Sequence, residues 1–404
     1  MLQKKLMLLG GLRYLIPVIE AAHKLGCYVI TCDYLPDNIA HKYSDEYCNV
    51  SIVDKDAVLA VAIEKKIDGI MSFAVDPGVV TAAYVAEKMG LPQSGPYESI
   101  CILQNKDLFR NFLADNGFNV PKANGYIDVD TAEKELESFR FPIIVKPVDS
   151  AGSKGVTRVD IVSDFKSAFE YAKKHSLSGR VIVEEFIERQ GCSSDSDCFS
   201  VNGVLKFVSF SAQRFDENAP NPYTPAAYSW PSTFTNAQEA ELTSELQRLL
   251  TLLGMRTSLY NVETRVGVDG KPYIMEVSPR GGGNRLSEML RFATGADLIT
   301  NAVRSAVGED IIDIVPKAYK GCWAELILHA ETQGRLGELV IEPSIKKNIV
   351  EVDLWCKKGD MIKPFNNASS AVGTIVFYFE SQEELVDFMC NYRNKVILDI
   401  NYTV

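Results

Sequence analysis

Glu263 and Glu276 flank an Asp269-Gly270 step in NVETRVGVDGKPYIMEVSPRGGG (residues 261–283), a spacing with chemical meaning. β-Branched and aromatic runs on both sides of Asp-Gly predict a hairpin with a two-residue loop. That register sets Glu263 opposite Glu276 and Asn261 opposite Ser278, with Arg265 on the same face. Facing carboxylates repel, and a hard divalent cation held among such oxygens resolves the repulsion. The plainer alternative is a pair of solvated strand glutamates, and a longer loop would change the pairing.

Other residues of suitable type stand nearby. Lys146 ends the strand FPIIVKP and is followed by DSAGSKG (149–155), a loop whose glycines and serines let backbone N–H groups approach an anion closely. RVIVEEFIE ends a strand in paired glutamates, Glu184 and Glu185, while Arg280 leads into three glycines. Each has a bland counterpart: a hairpin end, a charged strand edge, a surface ion pair.

Composition limits the partners. Lys+Arg 42 against Asp+Glu 53 leaves a net charge of −11, which argues against nucleic acid or an anionic membrane as the main partner, so any bound phosphate needs a local basic site. With 46% apolar and 24% charged residues over 404 positions, the chain reads as a globular protein of several domains. Nine cysteines without a Cys-x-x-Cys pair suit buried thiols in a reducing cytoplasm. MLQKKLMLLGGL reads as a first strand rather than an export signal, and no apolar stretch is long enough to span a bilayer.

The elements that must position these groups follow from periodicity. KKLMLL, CYVITCD, NVSIVD and GIMSFA read as strands alternating with helices over 15–25 and 56–66, which implies a parallel sheet with helices on both faces. Asp33 and Asp76 fall at strand ends, where a ligand crevice or a helix cap is expected. LPQSGPYESICILQN (91–105) holds a domain boundary, and Lys106 opens a helix. Helices are predicted over 131–139, 164–174 and 237–253, a hairpin turning at Asn202-Gly203, and a proline-rich loop over 215–236 that covers a site. Past Pro316 the strands AELILHA, IVEVDLWC, AVGTIVFYF and VILDINY with one helix make a small α+β domain.

Taken together, the NK opening at 105–106, FPIIVKP, VEEFI, and the VE and MEVSPR motifs resemble, in order and spacing, the ATP-grasp superfamily of carboxylate–amine ligases. The biotin-carboxylase-like, phosphoribosylglycinamide synthetase-like and bacterial amino-acid ligase subgroups are the most similar. The resemblance implies an α/β plus α+β architecture: a Rossmann-like domain over 1–100, an ATP-grasp domain of two α+β subdomains over 101–315 with a lid subdomain at about 118–187, and a C-terminal α+β domain over 316–404.

It also implies roles. Lys106 and Lys146 would contact ATP phosphates, Ser153 and the backbone from Ala151 to Gly155 would close over them, and Glu184, Glu185 and Ile187 would read the adenine. Glu263 and Glu276 would ligate Mg²⁺, with Mn²⁺ as a substitute, and Arg280 would hold the transferring phosphoryl group or a carboxylate. Two departures stand out: Ser278 occupies the place of the family's usual Asn ligand, and the ribose-binding acid is missing, with Ser194, Asp195 or Asp197 in its place. Arg214, Gly282 and Asn284 are the substrate-side candidates, and the family expectation is a homodimer.

The expected activity is ATP-dependent amide formation between a small carboxylate and an amine through an acyl phosphate. Two alternatives stay open: a nucleotide-binding regulator that no longer ligates, and a bicarbonate-dependent carboxylase of the biotin carboxylase type, against which Asn284 stands where those enzymes carry a glutamate.

Overall fold

The structure, a computed structural model, describes residues 3–150, 152–315 and 318–401. Ala151 of the small-residue loop and Pro316 at the start of the C-terminal region lie outside the described residues. The chain forms two compact units, one from 3–125, 195–209 and 235–315, the other from the remaining described segments.

The first unit begins with a four-stranded parallel sheet, ordered Glu46–Asn49, Tyr28–Asp33, Lys5–Leu9, Gly69–Ser72. Its central strands are apolar on both faces, with Leu6 through Leu9 fully buried, because helices such as Ile16–Lys24 and Pro77–Met89 cover them. Chain order reverses between Lys5–Leu9 and Gly69–Ser72, so Gly10 and Phe73 leave the sheet at its switch point. The strand expected at NVSIVD lies earlier, at Glu46–Asn49. Ile52 plugs the core from a turn, and Asp54 caps the helix Lys55–Lys65 by accepting from Ala57 N at 3.0 Å. The proposed boundary segment holds a helix of its own, Tyr97–Gln104, and Asn105 separates it from Lys106–Asp115.

A second sheet completes this unit, ordered Val204–Phe207, Ser194–Val201, Ser258–Val266, Pro272–Ser278. The helix Asn236–Leu252 enters through a capping box of Thr235 and Gln238 and buries Leu242, Leu246, Leu249 and Leu250 on one stripe. Its spacing was legible; the turn at Asn202-Gly203, with φ of 49° and 78°, also forms.

In the second unit, Ile143–Pro147 pairs with Thr157–Val159 and Val181–Glu185 over a core that includes Phe165, Phe169 and Val183. The segment 215–236 is not loop throughout: Pro225–Trp230 pairs with Ala212–Phe215 and Cys322–Leu328, burying Tyr228 and Trp230. Its alternation is hidden because both faces are apolar or covered. The strand Gly334–Ile341, not anticipated, pairs with Val396–Asn401, and the helix Gln382–Lys395 packs Leu385, Phe388 and Met389 against Phe377 and Phe379.

Candidate active site

The hairpin of the first unit pairs Glu263 with Glu276 and Asn261 with Ser278, by a route the sequence did not suggest. Gly267 N donates to Lys271 O (2.9 Å), so the tip holds Val268, Asp269 and Gly270, one residue more than expected, with Gly270 at φ 77°. The pairs run Val266 with Pro272, Arg265 with Tyr273, Thr264 with Ile274. Met275 is then extra, a β-bulge on the second strand, and the register past it returns to Glu263 opposite Glu276. The burial pattern records the bulge: Met275 and Glu276 are successively half-buried between buried neighbours. On the facing strand Asn261, Glu263 and Arg265 alternate with buried Val262, Thr264 and Val266.

The helix Lys106–Asp115 sits against this point. Asn105 Oδ1 accepts from Asp107 N and Leu108 N, both at 3.1 Å, and so fixes the helix start and Lys106 at its first position. Lys106 Nζ lies 3.5 Å from Glu276 Oε2. One turn on, Arg110 donates through one terminal nitrogen to the carbonyl of Met275 at 2.8 Å.

Arg280 is buried, and its donors are engaged inside the unit. Nε and one terminal nitrogen bind Asp76 Oδ1 and Oδ2 at 2.9 and 2.7 Å, and the other binds Asn261 Oδ1 at 2.9 Å and Gly281 O at 3.1 Å. Burial alone would push the Asp76 carboxyl up, but the charge and hydrogen bonds of Arg280, helped by Ser278, outweigh it and hold Asp76 below the usual carboxylate range. Ser278 donates to Asp76 (2.8 Å) and accepts from Gln104 Nε2 (2.9 Å), so its hydroxyl is already used.

Asn261 also donates to Asp195 Oδ1 at 2.6 Å. Asp197, wholly buried, accepts from Gly282 N at 2.9 Å and from Ser287 Oγ, and burial pushes its carboxyl up to about 6 against those hydrogen bonds. Of the three residues suggested for the ribose, Asp197 and Ser194 are fully buried and serve their own units; Ser194 Oγ accepts from Ser211 N. Asp195 is half-buried on the hairpin side.

The loop after Arg280 lies flat on the switch point of the parallel sheet. Gly281 O accepts from Ala74 N at 3.0 Å, and a Cβ at Gly281 would stand 2.1 Å from Phe73. Ala74, Asn284 and Arg285 all take left-handed φ, of 55°, 51° and 59°. Asn284 Oδ1 accepts from the Tyr14 hydroxyl at 3.2 Å.

In the second unit Lys146 and Glu184 stand diagonally across paired strands and form a close ion pair, with 13% and 3% of their side chains exposed. Glu185 faces away and accepts from Arg140 N at 2.9 Å, so the two adjacent glutamates do different things. Ile187 follows, half-buried, past the strand end. Ser153, at φ 59°, donates to Tyr223 O (2.9 Å), and its own carbonyl accepts from Asn221 Nδ2 (3.1 Å), which also donates to Asn366 O (3.0 Å). Gly155 (φ 74°) ends the loop beside Pro147. Arg214 turns back on its hairpin, donating to Ala212 O and Ser229 Oγ.

Residues 139–288 match the ATP-grasp domain family. The formate-dependent phosphoribosylglycinamide formyltransferase of Prochlorococcus marinus (strain NATL2A) is 33% identical over 195 residues, 46% of this chain and 48% of that protein. The chain thus spans about half the length of the curated relatives it matches. Among solved structures, L-amino acid ligase from Bacillus licheniformis superposes with a TM-score of 0.80 at 21% identity over 99% of both chains. Phosphoribosylglycinamide synthetase from Anaerococcus prevotii gives 0.76 at 20% over 99% of this chain and 100% of that one. The mixed α/β and α+β architecture is therefore that of ATP-grasp structures. Among the described residues no helix is long and apolar enough to cross a membrane.

The donor set fits a magnesium ion that brings phosphate oxygens with it. Among the described residues no group of three or more His, Cys, Asp or Glu could hold an ion alone. Two facing carboxylates with a lysine beside them match the way Mg²⁺ is held, by one or two carboxylates plus substrate phosphates. Two residues that hydrogen-bond to the second strand of this hairpin escaped the sequence. Gln104 carried no signal, whereas Arg110 stands four residues after Lys106 and hence on the same helix stripe, which was readable.

Proposed function

We propose that this chain is an ATP- and Mg²⁺-dependent ligase that joins a small carboxylate to an amine through an acyl phosphate. The observation that carries the proposal is the cross-strand pair Glu263 and Glu276 with Lys106 3.5 Å from the latter, an arrangement of acid and base built for a metal-bound polyphosphate. Mg²⁺ would supply charge neutralisation at the phosphate oxygens. Lys106 would stabilise the charge of the transferring phosphoryl group, and Lys146, oriented by Glu184, would hold the nucleotide with Glu185, Ile187 and the Ser153–Gly155 loop. Asp195 would take the ribose. The substrate carboxylate oxygen attacks the γ-phosphorus as ADP leaves; the amine nitrogen then attacks the acyl carbon, phosphate leaves and the amine's proton is lost.

Arg280 would act on the developing charge through its field, since its donors are held by Asp76 and Asn261. Arg214, Gly282 and Asn284 would line the substrate side. Ser278, spent between Asp76 and Gln104, would support the metal site rather than ligate in it. The proposal extends to a Rossmann-like first domain ending near residue 100, a C-terminal domain from about 316, and a cytoplasmic homodimer.

Phosphate release measured over pairs of carboxylates and amines tests this reading. ADP and phosphate formed only when both partners are present would support it; nucleotide binding with no turnover across the panel would favour a regulator, a reading to which the loss of Ser278 as a ligand gives some weight.

A further inference from the structure

We propose that Arg110 is a positioning residue for the metal end of the site, acting by holding the Met275 bulge; the inference rests on the ATP-dependent reading of that site. A bulged residue leaves its carbonyl outside the strand ladder, and a buried carbonyl needs a donor. Arg110, 3% exposed, supplies it at 2.8 Å.

The consequence reaches Glu276 because side chains alternate across a strand. Were Met275 drawn back into the ladder, every pair beyond it would shift by one. Glu263 would then face Met275, and Glu276 would turn to the side of Val262, Thr264 and Val266, which are buried. The bulge therefore decides whether the second carboxylate faces the first. Lys106 and Arg110, one helical turn apart, grip Glu276 and Met275 in succession, so the helix Lys106–Asp115 reads the register of the hairpin at two consecutive residues. The Asn105 cap fixes where that helix starts and thus which residues meet.

The test compares the full-length wild type with Arg110→Met, which keeps an unbranched apolar stem, and Arg110→Lys, which keeps a cationic donor. Mn²⁺ affinity in the presence of ADP is read by electron paramagnetic resonance, ADP affinity without metal by calorimetry, and backbone hydrogen exchange by mass spectrometry. Arg110→Met should weaken Mn²⁺ binding by about tenfold or more, as loss of a residue orienting a ligand does, with a much smaller change in metal-free ADP affinity. Exchange should rise over 272–278 and not elsewhere, and Arg110→Lys should recover most of the loss. Wild-type Mn²⁺ affinity in Arg110→Met would overturn the inference, as would exchange raised evenly through the first unit with no recovery in Arg110→Lys. If the wild type itself binds no Mn²⁺ with ADP, the ATP reading fails instead, and Arg110 is then judged on exchange alone: an unchanged 272–278 in Arg110→Met refutes it.

Discussion

Asp76 and Arg280 form a two-pronged ion pair, Nε to Oδ1 at 2.9 Å and a terminal nitrogen to Oδ2 at 2.7 Å, linking the first turn after the parallel sheet to the end of the glutamate hairpin. Removing the carboxylate leaves a buried guanidinium without its counter-charge. Asp76→Asn is therefore expected to lose about 3–5 kcal/mol of unfolding free energy in denaturant titrations. Arg280→Lys, which cannot reproduce the fork, should also be destabilised. A change below 1 kcal/mol in Asp76→Asn, well under that range, would mean the pair is solvated.

Glu276→Gln should lose on the order of a hundredfold or more in turnover, because the charge stabilisation supplied through the metal is worth several kcal/mol. Stability should hold or rise, since the substitution removes a like charge facing Glu263. ADP formation and a melting curve on the same preparation check both halves; normal turnover removes Glu276 from the metal site.

Lys146 and Glu184 separate binding from folding. Lys146→Met takes from Glu184, 3% exposed, the ammonium that pairs with it, at a cost of about 3–5 kcal/mol. Adding Glu184→Gln should restore most of that stability while fluorescent-nucleotide binding stays lost. Recovery of nucleotide binding in the double variant would assign Lys146 a structural role only.

Asp197 makes stability depend on pH. Its carboxyl titrates at about 6 in the fold and near its ordinary value of ~3.9 when unfolded, so the folded chain binds the proton more tightly. The stabilisation is complete below about pH 4 and is lost as pH rises through about 6. Asp197→Asn retains an acceptor for Gly282 N and a partner for Ser287 but cannot titrate. Across that window the wild type should lose on the order of 3 kcal/mol relative to the variant. Parallel stability curves from pH 4 to 7 would rule this out.

Asn221 ties the Ser153 loop down by donating to Ser153 O and Asn366 O. Asn221→Ala removes those two hydrogen bonds and the one its Oδ1 accepts from Tyr223 N (3.1 Å), each worth about 1 kcal/mol, so exchange of the amides over 152–155 should quicken on the order of tenfold or more. Unchanged exchange there would show that Ser153 Oγ and Tyr223 O suffice.

Much of this was readable from residue spacing because the signals were local. The apolar stripe of Asn236–Leu252, the turn at Asn202-Gly203 and the Lys106 helix start all follow from periodicity or caps within a few residues. What escaped needed partners far along the chain. Nothing near Met275 announces a bulge, because its reason is a guanidinium 165 positions away in sequence. Val50 and Ile52 looked like strand because apolarity marks burial, and Ile52 is buried from a turn. Arg280 read as a group awaiting an anion, yet its anion, Asp76, comes from the other end of the first unit's sequence. The facing of Glu263 and Glu276 was expected on a loop one residue too short, and an unforeseen bulge made good the difference.

That compensation separates the hairpin's tip from its working end. Val268, Asp269 and Gly270 lie exposed, while the register at Glu263 is set by the bulge behind them. Residues inserted between Asp269 and Gly270 would lengthen the tip and leave the carboxylates facing each other, which makes this turn a suitable place to splice in an epitope or a fluorescent reporter without touching the chemistry.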